Sequence, residues 1–172
     1  MTAALTLLGV LIVFGALSDI FLTLLHPSGQ GWLTRFVLSQ VWRATRTRAW
    51  TARLAGPLGM AAVVVCWTGL VVVGWALVYW PQMPHAFAFS GSLVPAERNH
   101  AADALYLSLV TLATLGFGDI APQVLWLRLV TPIESLIGFA LLTAAVSWVL
   151  QVYPALGRRR ALAVRLSMLR DS

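Results

Sequence analysis

The sequence predicts an all-α membrane protein with three transmembrane helices and one apolar helix too short to cross. Three observations carry this. Of the 172 residues, 59% are hydrophobic and only 10% charged, too little polar surface to clothe a water-soluble domain of this size. The apolar residues gather into three long blocks instead of spreading along the chain. The basic residues, all arginine, cluster at the ends of those blocks. Arg35, Arg43, Arg46, Arg48 and Arg53 lie between the first and second; Arg158, Arg159, Arg160, Arg165 and Arg170 follow the third. That is the positive-inside distribution, and it explains the net charge of +6 without a nucleic-acid partner.

Block one lies in residues 1–25 and spans if Asp19 is tolerated. Met1-Thr2-Ala3 carries no positive charge and a basic segment follows Leu25, so an uncleaved helix is expected instead of a secretory signal. Asp19 is expected to reach the interface or to pair with a connector arginine. Residues 26–57 form a basic cytoplasmic connector. Within it, about Trp32 to Ala55 mixes arginines with Trp32, Phe36, Val41, Trp42 and Trp50, which suits an interfacial helix facing anionic lipid. A plain anchor is expected there, more than a lever acting on the rest of the chain.

Block two, Leu58 to Trp80, is uncharged and lies between Pro57 and Pro81; it would extend ~35 Å as a helix. Trp75, Tyr79 and Trp80 sit at its far end, where an aromatic belt belongs. Cys66, the single cysteine, lies inside this block and reads as a packing residue. After a polar linker (81–100), residues 101–113 look helical, with Asp103 in the first turn where the helix dipole favours a carboxylate. Such a helix is ~20 Å long against a ~30 Å hydrocarbon core, so it is a re-entrant candidate. Block three runs over 125–153, and 154–172 reads as a basic cytoplasmic tail. The arginine pattern puts the connector and C-terminus in the cytoplasm, and the N-terminus and residues 81–124 outside. The all-arginine, alanine-rich composition suggests a bacterial chain, hence an inner (plasma) membrane location.

Between the short helix and block three lies Thr111-Leu-Ala-Thr114-Leu115-Gly116-Phe117-Gly118-Asp119. Non-helical backbone at membrane depth is permitted only if it is buried in protein or lines a wet cavity. Gly116 and Gly118 alternate with larger residues and tolerate positive φ. Alternating handedness along an extended strand turns successive carbonyls to one side. A row of neutral, hard oxygens suits alkali cations and holds them weakly enough to release them. One strand cannot surround an ion, so several copies must converge on an axis.

The segment resembles the potassium-channel signature Thr-x-x-Thr-x-Gly-Tyr/Phe-Gly-Asp, matched by Thr111, Thr114, Gly116, Phe117, Gly118 and Asp119. Residues 58–153 resemble that family's pore module: outer helix, extracellular linker, pore helix 101–113, filter 114–119 and inner helix 125–153. The resemblance implies a tetrameric, K⁺-selective pore with K⁺ as permeant ion and no organic cofactor. The ion ligands would be the carbonyls of Thr114, Leu115, Gly116 and Phe117 and the Thr114 hydroxyl, with Gly118 completing the filter and Asp119 at its mouth. Leu115 stands where valine is usual, and Phe117 lacks the commoner tyrosine hydroxyl. Val110 occupies the place where some members carry a pore-helix glutamate, so Asp119 lacks that partner.

Thr111 and Glu134 are candidate filter supports. Glu134 has a local alternative, because Thr131-Pro132-Ile133-Glu134 also reads as a capping box at a helix start. Gly138 is either a gating hinge, as the resemblance implies, or a small residue permitting close packing. Thr143 and Ser147 share a helix face and are expected to line a cavity below the filter. Arg128 suggests no specific role. A weakly selective cation channel and a non-conducting regulatory subunit are the competing readings. The spans carry no Ser/His, paired-carboxylate or metal constellation, so an enzyme is not expected. No helix carries regularly spaced arginines, so a voltage sensor is not expected either.

Overall fold

A computed structural model of the chain describes residues 2–25, 31–45, 55–90 and 99–170. The helices are α1 (Thr2–Leu25), α2 (Trp32–Thr45), α3 (Ala55–Tyr79), α4 (His100–Leu112) and α5 (Leu125–Arg170). A 3₁₀ turn, Trp80–Gln82, ends α3, and two short strands, β1 (Phe87–Phe89) and β2 (Ile120–Pro122), flank α4 and the candidate filter. Three segments are long and apolar enough to cross a bilayer: Thr2–Leu24, Gly56–Gln82 and Leu125–Leu150. The fold class expected from the sequence, an all-α membrane protein, is the one observed.

Two element bounds differ from expectation. The third block does not give way to a separate tail, because α5 continues to Arg170. It does so through Pro154 and Gly157, which disfavour a helix interior; the alanine, leucine and arginine residues that follow are good helix formers. The two strands were not anticipated. They pair antiparallel as Phe87↔Pro122, Ala88↔Ala121 and Phe89↔Ile120, too short a run to leave a periodic signal.

Helix α1 runs antiparallel along α3. Their closest approach is at Gly9 and Gly74: a methyl on Gly9 would meet the Gly74 carbonyl, and one on Gly74 would lie 2.7 Å from the Val13 side chain. Small residues at a crossing let two backbones approach where water cannot drive association. Val13, Ala16 and Ile20 of α1 are buried in one apolar cluster with Val63, Val71 and Val72 of α3.

Asp19 does not reach the interface. It is 6% exposed, and its carboxylate caps the start of α2. It accepts from the Leu33 amide at 2.8 Å, the Thr34 amide at 3.2 Å and the Thr34 hydroxyl at 2.7 Å. The Trp67 indole of α3 donates to it at 3.0 Å. Gly31, directly before α2, has no side chain to satisfy the free amides of the first turn, so α1 supplies the oxygens from outside. The Gly31 amide donates to the Thr23 hydroxyl at 3.1 Å, and a methyl at Gly31 would run into the Asp19 carboxylate. Among the described residues Asp19's hydrogen-bond partners are these donors, not the connector arginine the sequence suggested.

Thr34, Leu38 and Thr45 face inward from α2, with Leu38 against Gly59 at the start of α3. Trp32, Phe36 and Trp42 are exposed, as are Arg35 and Arg43, and the Trp32 and Phe36 rings stack at 6.3 Å. The amphipathic helix expected over 32–55 is thus observed over 32–45; Trp50 lies outside the described residues.

Asp19→Ala is expected to destabilise the protein by about 1–3 kcal/mol, because it orphans buried donors. The check is a lower thermal midpoint in detergent together with faster hydrogen exchange at the Leu33 and Thr34 amides. Unchanged exchange at those two amides would overturn the cap.

Candidate functional site

The site is built on α4. Asn99 caps this helix, accepting from the Ala101 amide at 3.1 Å and the Ala102 amide at 3.3 Å, and Asp103 sits in the first turn as expected. Its 13 residues buried on one side (Ala104, Leu107, Ser108, Thr111) end in a tightly wound turn. There the Ala113 amide donates to the Leu109 carbonyl at 3.0 Å, the Thr114 amide to Thr111 at 2.9 Å and the Leu115 amide to Val110 at 2.9 Å. The base of the candidate filter is therefore bonded to the helix that precedes it.

From Thr114 the backbone alternates in handedness. Thr114 has φ 58°, Gly116 56° and Gly118 75°, while Leu115 and Phe117 stay on the ordinary side. For Thr114, branched at Cβ, that conformation costs about 1–3 kcal/mol and persists only where the surroundings enforce it. The amide bonds on either side of its α-carbon do so. Residues 114–118 are exposed in the single chain, with Leu115 60% and Phe117 64% accessible.

Helix α5 braces α4 from behind with successive contacts on one face. Glu134 is fully buried, accepting from the Tyr79 hydroxyl of α3 at 2.6 Å and from the Ser108 hydroxyl of α4 at 2.5 Å. The Ser135 hydroxyl donates to the Thr111 carbonyl at 3.0 Å. At Gly138 the backbone of α5 meets the Leu112 carbonyl so closely that a methyl there would overlap it. The capping-box alternative for Glu134 does not hold. The helix begins at Leu125, and the Thr131 hydroxyl donates within it to the Leu127 carbonyl at 2.8 Å.

Asp119 does have a partner. The Tyr106 hydroxyl of α4, one helical turn before Val110, donates to Asp119 Oδ2 at 2.7 Å. That bond, then partial burial and the carboxylate charge, raise the Tyr106 phenol above its ordinary pKa. The donating form is the protonated one, so the bond is fully present below the ordinary phenol pKa and is lost as pH rises through the raised value. Ser90, just after β1, donates its amide to the Asp119 carbonyl at 2.8 Å. Further along α5, Thr143 and Ser147 are both exposed, and the Thr143 hydroxyl donates back to the Phe139 carbonyl at 2.9 Å.

The structure thus brings Thr111, Thr114 to Asp119, Glu134 and Gly138 around the end of α4, and leaves Thr143 and Ser147 apart on α5. Sequence reasoning missed Tyr79, Ser108, Tyr106 and Ser90. Tyr106 carried a signal, since a hydroxyl four residues before Val110 shares its face. The other three come from segments whose approach no local pattern encodes.

A family model described as "Ion channel" matches residues 67–153. The chain is 33% identical over 158 residues to the uncharacterized membrane protein YdjJ of Bacillus subtilis, a match covering 89% of this chain and 45% of that protein. It is 31% identical over 111 residues to protein LctB of Geobacillus stearothermophilus, covering 60% of this chain and 82% of that protein. A 38% identical stretch of 60 residues is shared with two-pore potassium channel 5 of Arabidopsis thaliana, covering 33% of this chain and 15% of that protein. The chain therefore spans less than half the length of the Bacillus and Arabidopsis relatives. No solved structure matches it significantly.

Two outcomes follow from this geometry. In an alkaline titration read by phenolate absorbance, Tyr106→Phe is expected to remove a component above the ordinary tyrosine range, and Asp119→Asn to shift that component down. Glu134→Gln is expected to cost about 1–3 kcal/mol in thermal unfolding, because an amide offers one acceptor oxygen to two donating hydroxyls.

Proposed function

The chain belongs to the ion channel family, and from that premise we propose that it is a subunit of a K⁺-selective channel, conducting passively through a homotetramer. One observation carries the reading: φ is positive at Thr114, Gly116 and Gly118 in turn, on exposed, non-helical backbone after a helix too short to span. Alternation of this kind turns the carbonyls of Thr114 to Phe117 toward one side, where four copies replace the hydration shell of K⁺. The Thr114 hydroxyl adds the innermost ring, and Gly118 completes the strand.

Exposure supports assembly from several copies. Leu115 and Phe117 in the filter, and Leu129, Leu136, Phe139 and Leu142 on α5, are each more than half exposed in one chain. Only 11% of the Leu125–Leu150 window is buried, against 44% for Gly56–Gln82. An inner helix so bare fits a position against other subunits and a central cavity lined by Thr143 and Ser147.

Asp119 at the mouth concentrates cations, and Thr111 and Glu134 hold the filter through α4. Gly138 admits the Leu112 carbonyl against α5, so any bend there moves the end of the pore helix. Arg35 and Arg43, exposed on α2 beside Trp32, Phe36 and Trp42, face anionic headgroups from the cytoplasmic side. The subunit lies in the plasma membrane with its N-terminus outside and its C-terminus inside. The permeant ion is K⁺, and no organic cofactor or nucleic acid takes part.

Purified protein in liposomes is expected to pass K⁺, with a reversal potential that follows the K⁺ gradient and not the Na⁺ gradient. Gly116→Ala, which puts a side chain on a left-handed position of the filter, is expected to abolish flux. Retained flux in that variant removes the filter assignment; a reversal potential indifferent to Na⁺ replacement of K⁺ leaves a weakly selective channel.

A further inference from the structure

Among the described residues no hydrogen bond reaches the carbonyls of Leu115, Gly116 or Phe117, but the strand's outer end is held. The Ser90 hydroxyl lies 3.1 Å from the Gly118 carbonyl and 3.3 Å from the Asp119 carbonyl. Having one proton, it donates to one at a time, and Gly118 is nearer. The Ser90 amide donates to the Asp119 carbonyl at 2.8 Å, which extends the β1–β2 ladder one residue past Phe89↔Ile120.

Gly118 needs such a bond. It sits at φ 75° with no side chain to pack, so sterics do little to stop its peptide rotating. Tyr106 fixes the Asp119 side chain at 2.7 Å but leaves the neighbouring backbone unbonded. Among the described residues the backbone is reached from the other side, by Ser90 at the end of β1. The fixed point is the ladder: with Ser90 N–H bonded to the Asp119 carbonyl, the Ser90 hydroxyl lies beside Gly118.

We propose that Ser90 is a positioning residue for the outer end of the filter, donating its hydroxyl to the Gly118 carbonyl so that the last filter peptide keeps its conducting orientation. The inference rests on the filter reading of residues 114–119 and adds to it a residue from outside the pore helix, filter and inner helix. Loss of the hydroxyl frees the Gly118 peptide to rotate and lets the outer end of the filter collapse or widen while the inner sites stay intact.

The test compares wild type, Ser90→Ala and Ser90→Thr as tetramers in planar bilayers. A net hydrogen bond of about 1 kcal/mol corresponds to roughly a fivefold change in an equilibrium. Ser90→Ala is expected to close about threefold to tenfold more readily during sustained K⁺ current, with single-channel conductance and K⁺/Na⁺ reversal potential unchanged. Raised external K⁺ is expected to slow that closure, since an ion in the outer site holds the carbonyls in place, and Ser90→Thr, which keeps the hydroxyl, to restore wild-type behaviour. General weakening of the fold would produce neither the K⁺ dependence nor the rescue. Should the alanine variant fail to assemble, Ser90→Cys keeps the volume with a weaker donor and is expected to fall between wild type and alanine. Closure in Ser90→Ala equal to wild type, or Ser90→Thr as unstable as alanine, overturns this proposal alone. A wild-type tetramer that passes no K⁺ overturns the filter reading with it.

Discussion

The arrangement of α3, α4 and α5 depends on one buried carboxylic side chain. Glu134 joins three helices at a point, with Tyr79 of α3 on one oxygen and Ser108 of α4 on the other. An ionisable group inside a membrane span is costly unless its hydrogen-bonding capacity is met, and here both oxygens are met by hydroxyls from different helices. The other side-chain hydrogen bond from α5 to α4, among the described residues, is that of Ser135 to the Thr111 carbonyl. The short helix is apolar, cannot span, and would slide along α3 and α5 if only dispersion forces held it. A polar contact surrounded by hydrocarbon has no competing water, so it sets the register of α4 against both neighbours. Ser135 and Gly138 then extend the same contact toward the filter, through the Thr111 and Leu112 carbonyls.

That register matters because the segment beyond α4 cannot hold its own shape. Backbone in alternating handedness forms no ladder or helix along its length, and Thr114 at φ 58° is strained. The protomer fixes it at its ends: the Val110 and Thr111 carbonyls grip the base, and Tyr106 and Ser90, at the end of β1, grip the other end. Between them Leu115 and Phe117 stand exposed. Polar backbone and bulky apolar side chains left open at membrane depth are a surface awaiting cover, and the bare face of α5 is another. Both surfaces fit the assembly from several copies proposed above.

The spans, the short helix and the alternating glycines were legible in the sequence because each is a local property of composition or spacing. The Leu58 to Trp80 block could hardly be anything but a membrane helix. The candidate filter carried its alternating backbone in Gly116 and Gly118. What could not be read were contacts made across sequence distance. Asp19 and α2 show this well: a capping carboxylate is usually sought within three residues of a helix start, and this one arrives from the previous helix, twelve positions before Gly31. Glu134 misleads in the opposite direction. Its neighbours spell a capping box, and only the start of α5 at Leu125 shows that the local pattern has no helix end to cap. Three-residue strands such as β1 and β2 leave no periodicity to detect.

The first helix lies outside the segment matched by the ion channel family model, yet it is tied to that segment. Helix α1 meets α3 at Gly9 and Gly74, and Asp19 fastens it to the start of α2. The same carboxylate accepts from the Trp67 indole, whose ring lies 5.6 Å from that of Trp148 on α5. Trp67 therefore has two jobs on two faces: its N–H donates to a buried carboxyl shared with α1 and α2, and its ring packs against α5. Removing α1 would leave that N–H unpaired in the membrane, the first turn of α2 uncapped and a long apolar stripe of α3 uncovered. A single carboxylate is shared among three helices at each of two places: Asp19 among α1, α2 and α3, and Glu134 among α3, α4 and α5. Helix α3 is common to both, which makes it the member through which α1 and α2 are held against α4 and α5.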